Sequence, residues 1–227
     1  MEVSQVPVVF SVVTDPVALG LVASMDKPGG NATGVTSLDP DQARSQLGLL
    51  KEALPGLKRV ALLSDDTIPG ADARGLAPID RANEAAAREL GLEPHIIKLK
   101  GAPATDLEGA FSEMLRAQDD AVLVLETPVP FAHQKRIGAL AMANRIPAMF
   151  PGGQADAAGL MTYGTNVADT WPRMAALADR ILKGASPAEI PVEVVARREL
   201  VINANTAQHL GIALSSEITG RADRIIE

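Results

Sequence analysis

The chain has no cysteine, which excludes disulfides, thiolate zinc sites and cysteine nucleophiles together. Aromatic residues are almost as scarce: one Trp, one Tyr and four Phe leave few rings to stack on an aromatic ligand. Clustered positive charge is missing too. Lys and Arg number 21 against 28 Asp and Glu, a net charge of −7, whereas nucleic-acid binding draws most of its affinity from grouped cations. The nearest such groups, HQKR at 133–136 and ARR at 196–198, are short, flanked by apolar residues, and read as solvated faces. No apolar stretch reaches the ~18 residues of a membrane-spanning helix. Residues 1–7 show no basic stretch leading into an apolar one, so no export signal is expected in the chain as it stands. Nucleophile-elbow, zinc-protease, phosphate-loop and dinucleotide glycine motifs are all absent. The glycine-rich KPGGNATG at 27–34 lacks their spacings, precedes a strand, and reads as a turn.

What is present is apolar and periodic. With 227 residues, 47% of them hydrophobic, the chain can bury one large core or two modest ones. Short, β-rich runs at 7–13, 33–38, 59–64, 93–99, 120–126, 146–150 and 160–164 are nearly continuous in apolar character, as strands of a parallel sheet covered on both faces must be. Helical spacing fills the gaps near 40–54, 71–91, 105–117, 131–144 and 168–183. Thr105 and Glu108 have capping-box spacing, with Leu107, Phe111, Met114 and Leu115 as one apolar stripe. Trp171, Met174, Ala178 and Ile181 form another, ending at Gly184 as a C′ residue. The alternation predicts an α/β fold with parallel sheets. Five strands between 59 and 164 suffice for one doubly wound unit, and two strands before residue 40 do not suffice for a second.

Ligands of such sheets bind beyond the carboxyl ends of the strands, so the residues directly after each strand are the candidates. They are Thr14, Asp15 and Pro16, then Ser64, Asp65 and Asp66, then Glu126, Thr127 and Pro128, then Pro151, Gly152, Gly153 and Gln154, then Tyr163, Gly164 and Thr165. Each alone also suits a turn or helix cap; the recurrence points to a cleft. His95 inside a strand, His133 in a helix's first turn and His209 near a helix end read as structural. A carboxylate enzyme using Asp15 or the Asp65–Asp66 pair would need a partner group, and none is legible.

Several blocks in order carry a resemblance: PVVFSVVTDPVALGLVASMDKPGGNATGV, LLKEALPGLKRVALL, RIPAMFP, AGLMTYG, ADRILKGASPAEIPVE, ELVINANTAQHLGI and RADRIIE. From about residue 6 to the end the chain resembles the periplasmic substrate-binding proteins of the ABC-transporter family that includes tryptophan- and phenylalanine-binding members. The resemblance implies a type I periplasmic-binding fold, two Rossmann-like lobes with parallel sheets closing on a small molecule, and an ABC permease as partner. It implies no catalysis, cofactor or metal, and a periplasmic location, with a cytoplasmic one left open by the missing signal. Lobe one would be 1–38, with 168–192 returning to it and its N-terminal part missing. Lobe two would be 42–165, with 195–227 as a C-terminal crossover and helices.

By the same resemblance Thr14, Asp15 and Pro16 line the lobe-one wall, where the Asp15 carboxylate would meet a ligand ammonium in a bond worth about 1.5–3 kcal/mol. Lobe two would contribute Asp65, Asp66, Thr127, Gly152, Gly153, Gln154 and Tyr163. The family often has an Asn-Pro-like pair where this chain has Asp65-Asp66, a departure that favours a cationic or polyhydroxyl ligand; an amino acid is the family expectation. A two-stranded remnant sheet would also expose edges, which predicts a homodimer through the shortened lobes. An intracellular ligand-sensing or interaction module on the same fold is the alternative function.

Overall fold

The computed structural model describes residues 6–11, 13, 15–37, 39, 41–101 and 106–227. In chain order its elements are β1 (Val8–Phe10), β2 (Ala32–Thr36), α1 (Gln42–Ala53), β3 (Arg59–Asp65), α2 (Pro78–Glu89), β4 (Glu93–Leu99), α3 (Leu107–Ala117), β5 (Ala121–Val124), α4 (Pro128–Ala132), α5 (Gln134–Ala143), β6 (Ala148–Pro151), β7 (Met161–Gly164), α6 (Trp171–Leu182), β8 (Glu193–Val194), β9 (Glu199–Asn203), α7 (Ala204–Leu210), α8 (Ser216–Gly220) and β10 (Arg224–Ile226). They divide into two compact units, Met1–Pro40 with Thr165–Arg197, and Asp41–Gly164 with Arg198–Glu227.

The larger unit is built on a seven-stranded sheet in the order β10-β9-β7-β6-β5-β3-β4. β4, β3, β5, β6 and β7 are parallel, and their near-continuous apolar sequences have a direct cause. Side chains alternate between the two faces of a strand, and both faces are covered. Val60, Leu62, Ala121, Leu123 and Met149 enter one core, with Leu47 and Leu50 of α1 and Ala86 and Ala87 of α2. Ala61, Leu63, Val122, Val124, Ala148 and Phe150 enter the other, with Phe111 of α3 and Ile137 of α5.

The segment 195–227, expected as a crossover with helices, also carries strands. β9 runs antiparallel to β7, pairing Gly164 with Glu199 and Met161 with Ile202, and β10 runs parallel to β9. The sheet is therefore parallel-dominated and closes on one side with two reversed strands.

The α3 stripe also differs from expectation. Leu107, Ala110, Phe111 and Met114 are buried, and Leu115 is 50% exposed. Eight residues on, Leu115 has rotated about 80° from Leu107 and leaves the face, while Ala110 rotates into it. Thr105 lies outside the described residues; Asp106 caps α3, its carboxylate accepting the Gly109 N–H at 2.7 Å.

Where the strands begin, a polar cluster ties β3, β4 and α3 together. The fully buried Asp119 carboxylate accepts from Arg59 Nε at 3.0 Å and lies 2.6 Å from His95 Nδ1, placing the ring N–H as donor; His95 Nε2 is 3.3 Å from Glu113 Oε1. Asp119→Ala is expected to lower stability by about 2 kcal/mol in urea denaturation. It strips charge-assisted hydrogen bonds, while Arg59 stays partly solvated and keeps its pairing with Glu93.

The smaller unit has a three-stranded parallel sheet, β1-β2-β8, one strand more than the sequence suggests. Val35 of β2 packs with Leu177 of α6, Ile190 and Val195, and Met174 and Ile181 pack against them. Leu177 is the centre of the buried α6 face, whereas Trp171 is 64% exposed. About 120° separates Trp171 from that centre on the helix circumference. The chain leaves α6 through Gly184 in a Schellman arrangement, with Gly184 N–H on Ile181 O and Ala185 N–H on Arg180 O.

Candidate functional site

β4 lies on one side of β3 and β5, β6 and β7 on the other, so the direction of winding reverses between β3 and β5. The carboxyl ends at such a reversal diverge into a crevice. From β3 to β7 this edge spans three inter-strand gaps, about 14 Å, the scale of a small molecule.

Asp65 ends β3 with no exposure. Its Oδ1 accepts from Thr67 N at 2.9 Å and Thr67 Oγ1 at 2.5 Å, and its Oδ2 from Val129 N at 2.9 Å. Burial pushes its carboxyl upward, but the Thr67 and Val129 hydrogen bonds outweigh it and hold the group below the usual Asp value. Asp65 thus fastens the β5–α4 segment across the reversal, with its bonding directed at the loops. Asp66 is exposed; its N–H bonds Leu99 O at 3.0 Å and its Oδ1 accepts from Gly101 N at 2.9 Å, binding it to the end of β4.

Thr127, directly ahead of α4, is buried, and its hydroxyl lies beside the Asp65 carboxylate without a hydrogen bond of good geometry. Gln154, after β6, is also buried, with no partner for its Oε1 among the described residues. Gly152 is buried and Gly153 exposed between them in the chain path. Tyr163 is half-buried on β7 and packs against the first core, its carbonyl accepting from Gln46 Nε2 at 2.8 Å.

Three further residues complete the edge. Gln42, the first residue of α1, donates from Nε2 to Glu126 Oε2 at 3.5 Å. Glu126 follows β5 and keeps part of its surface accessible, yet protein walls it in. That desolvation pushes its carboxyl up to about 7, against the lowering effects of Gln42 and of the Arg198 charge. Arg198 reaches this edge because antiparallel β9 begins where β7 ends. Gly164, at φ +141°, closes the group: a Cβ here would stand 3.1 Å from Gly152 N and 3.3 Å from Gln42 Oε1.

The structure therefore aligns Asp65, Thr127, Gly152, Gln154 and Tyr163 along one sheet edge. Asp15 and Pro16 belong to the other unit. There the Asp15 carboxylate accepts from Ala18 N at 2.9 Å, and the buried Pro16 carbonyl accepts from Leu21 N at 2.9 Å, so both shape a turn. Thr14 lies outside the described residues. Sequence reasoning passed over Gln42 and Arg198 as site residues; Glu126 stood among the candidates after the fifth strand but was not carried into the lobe-two set. The available signals were the Gln42–Gln46 spacing on an otherwise apolar helix face and an acid directly after a buried strand. Among the described residues no group of three or more His, Cys, Asp or Glu is placed to hold a metal ion. The edge offers donors, acceptors and opposite charges, which suits recognition of a polar solute.

A family model described as ABC transporter substrate binding protein matches residues 2–226. A tyrosine-binding protein of Clostridioides difficile is 24% identical over 213 residues; the match takes in 90% of this chain but 57% of that relative. Among solved structures, the ABC domain in complex with L-Trp from Streptococcus pneumonia is 25% identical, with a TM-score of 0.80, over 97% of this chain and 73% of the other. A conserved domain protein from Vibrio cholerae shares the fold at 24% identity and a TM-score of 0.83, over 96% and 71% of the two chains.

Proposed function

Because the chain belongs to the ABC transporter substrate-binding protein family, with the α/β fold of type I periplasmic binding proteins, we propose that it captures an amino acid or similar small solute for an ABC permease. The observation that carries the reading is the convergence of Gln42, Glu126, Gly152 and Gly164 at the winding reversal of the larger sheet. The similar proteins named for tyrosine and solved with L-Trp support an amino acid as the ligand. An amino acid presents an ammonium and a carboxylate a few ångströms apart, and Glu126 with Arg198 offers the complementary pair. Rings are few at this edge. Phe150 is fully buried in the core, whereas Tyr163 of β7 is half-buried and Phe131 of α4 is 46% exposed, so Tyr163 and Phe131 are the rings offered to an aromatic side chain among the described residues here. The protein works outside the cytoplasm in this reading, and the solute leaves it chemically unchanged.

Isothermal titration with L-tyrosine, L-tryptophan, L-phenylalanine, L-leucine and a sugar alcohol tests this. Micromolar binding of at least one amino acid is expected, about −8 kcal/mol, with the ligand recovered intact. Binding of the sugar alcohol alone, or of nothing in the panel, overturns the amino-acid assignment.

A further inference from the structure

Among the described residues, Glu126 is the carboxyl group at the reversal that the fold leaves without a short hydrogen bond. Asp65 is taken up by Thr67 and Val129, and Asp66 by Gly101. Glu126 receives, among the described residues, only the long 3.5 Å approach of Gln42 Nε2 to one of its oxygens, and it retains accessible surface. The backbone on either side of it is pinned: Leu125 N bonds Leu63 O at 2.9 Å, and Val129 N bonds Asp65. A carboxyl on so fixed a stretch of backbone, desolvated and within the field of Arg198 but not joined to a cation at short range, is placed to respond to an incoming charge.

We propose that Glu126 makes ligand capture proton-linked: the side chain holds a proton in the ligand-free protein and releases it to solvent when the ammonium group of an amino-acid ligand comes to lie beside the resulting carboxylate. This rests on the amino-acid reading above and adds its regulation, since capture then weakens in acid. The O–H bond of Glu126 breaks, its electron pair stays on the carboxylate, and the proton passes to buffer.

Where the surrounding elements meet this edge, the charged and titratable residues among the described ones are Asp41 just before α1 and Arg44 in its first turn, the latter paired with Glu89, then Asp65 at the end of β3 and Asp66 after it, Tyr163 on β7, and Arg198 just before and Glu199 at the start of β9. Arg198 is the charge that acts on the Glu126 carboxyl, and it acts to lower it; desolvation acts the other way and prevails, with titration centred at about 7. A neighbouring ammonium lowers that value further. Below about pH 7 each bound ligand therefore displaces up to one proton, and affinity rises up to about tenfold per pH unit before levelling above it.

The test is titration of L-tyrosine into wild type and Glu126→Gln from pH 5.5 to 8 in two buffers of different ionisation heat, with 3-(4-hydroxyphenyl)propionate, which lacks the amine, as control. Wild type is expected to bind tyrosine more than tenfold more weakly at pH 5.5 than at pH 8, with buffer-dependent heat showing proton release. The variant is expected to bind weakly at both. Equal wild-type affinities at the two pH values, or a pH dependence that Glu126→Gln preserves, overturns the proposal and leaves the amino-acid reading standing. No binding of any amino acid in the earlier panel overturns that reading instead. Carbon-13 NMR titration of the Glu126 carboxyl in wild type is independent of how the variant folds: a midpoint near the ordinary Glu value overturns the proposal.

Discussion

Asp65→Ala is expected to lower stability by about 3–4 kcal/mol at pH 7 and to weaken solute binding by more than tenfold. The substitution removes one side chain of a fully buried residue and leaves the N–H groups of Thr67 and Val129 without their acceptor. Hydrogen bonds to a charged group contribute about 1.5–3 kcal/mol each; three are lost here, and water reaching the exposed Thr67 and half-buried Val129 offsets part of the sum. The binding loss follows from position, because the Val129 bond is what holds the β5–α4 segment, and with it Glu126 and Thr127, against the end of β3. Asp65→Asn is no remedy. Its amide keeps one acceptor oxygen, but its NH2 group would face either Thr67 N–H or Val129 N–H, donor against donor.

Acid dependence supplies a second readout. The folded Asp65 lies below the usual value of 3.8, so its contribution is complete above that value and is lost as pH falls through the lower folded one. The difference between wild type and Asp65→Ala in urea denaturation is therefore expected to be full at pH 5 to 7 and to shrink below pH 3.8. A difference that stays constant down to pH 2 would show that the carboxylate is not the origin of the effect.

Gly138→Ala is expected to be at least as damaging, at 3 kcal/mol or more, or to prevent soluble expression. A Cβ on Gly138 of α5 would lie 1.5 Å from the Ala157 carbonyl oxygen and 2.7 Å from its carbon. The obstruction is backbone, which cannot rotate away, so α5 would have to move off the 155–157 turn. Ile137 and Ala141 flank Gly138 and fill the second core with Phe150, and a displaced helix opens cavities there at about 24 cal/mol per Å3. Gly48→Ala in α1 is the matched control. Nothing lies within 4 Å of a Cβ at Gly48, and Ala in a helix interior is favoured over Gly by up to about 1 kcal/mol. Opposite shifts in melting temperature are expected for the two variants; a fall of similar size in both would mean that the close α5 packing is not what Gly138 serves.

The parallel core was legible in the chain because it is covered on both faces. Runs such as Val60–Leu63 and Ala121–Val124 supply two cores alternately, which leaves a continuous apolar signal with no polar face to break it. β9 and β10 were not legible. Leu200, Val201 and Ile202 form an apolar run only three residues long between Glu199 and Asn203, and its direction is set by pairing with β7, which local sequence does not encode. Arg198 was not legible as a site residue for the same reason: Ala196 and Arg197 are exposed as the ARR run suggests, and only the pairing of β9 with β7 brings Arg198 to the carboxyl end of β7. Leu115 was assigned to a buried stripe by spacing that tolerated too wide an arc.

At the site, the residues after each strand were found because a parallel sheet places them all at one edge. What gives Glu126 its character was invisible, since its partner Gln42 is 84 residues away and burial is a property of the assembled unit. Asp65 shows the converse. The sequence presents it as a free acid at a strand end, and the fold directs its carboxylate to Thr67 and Val129.

The central claim is that the carboxyl edge of the seven-stranded sheet receives the solute. Backbone amide chemical shifts followed during titration with L-tyrosine, and separately L-tryptophan, test it most directly. The account predicts saturable shifts concentrated at Gln42, Glu126, Thr127, Gly152 and Gly164, with the Arg59–Asp119 end of the sheet unchanged. Saturable binding whose shifts leave those five residues untouched and gather at the opposite end of the strands would contradict it.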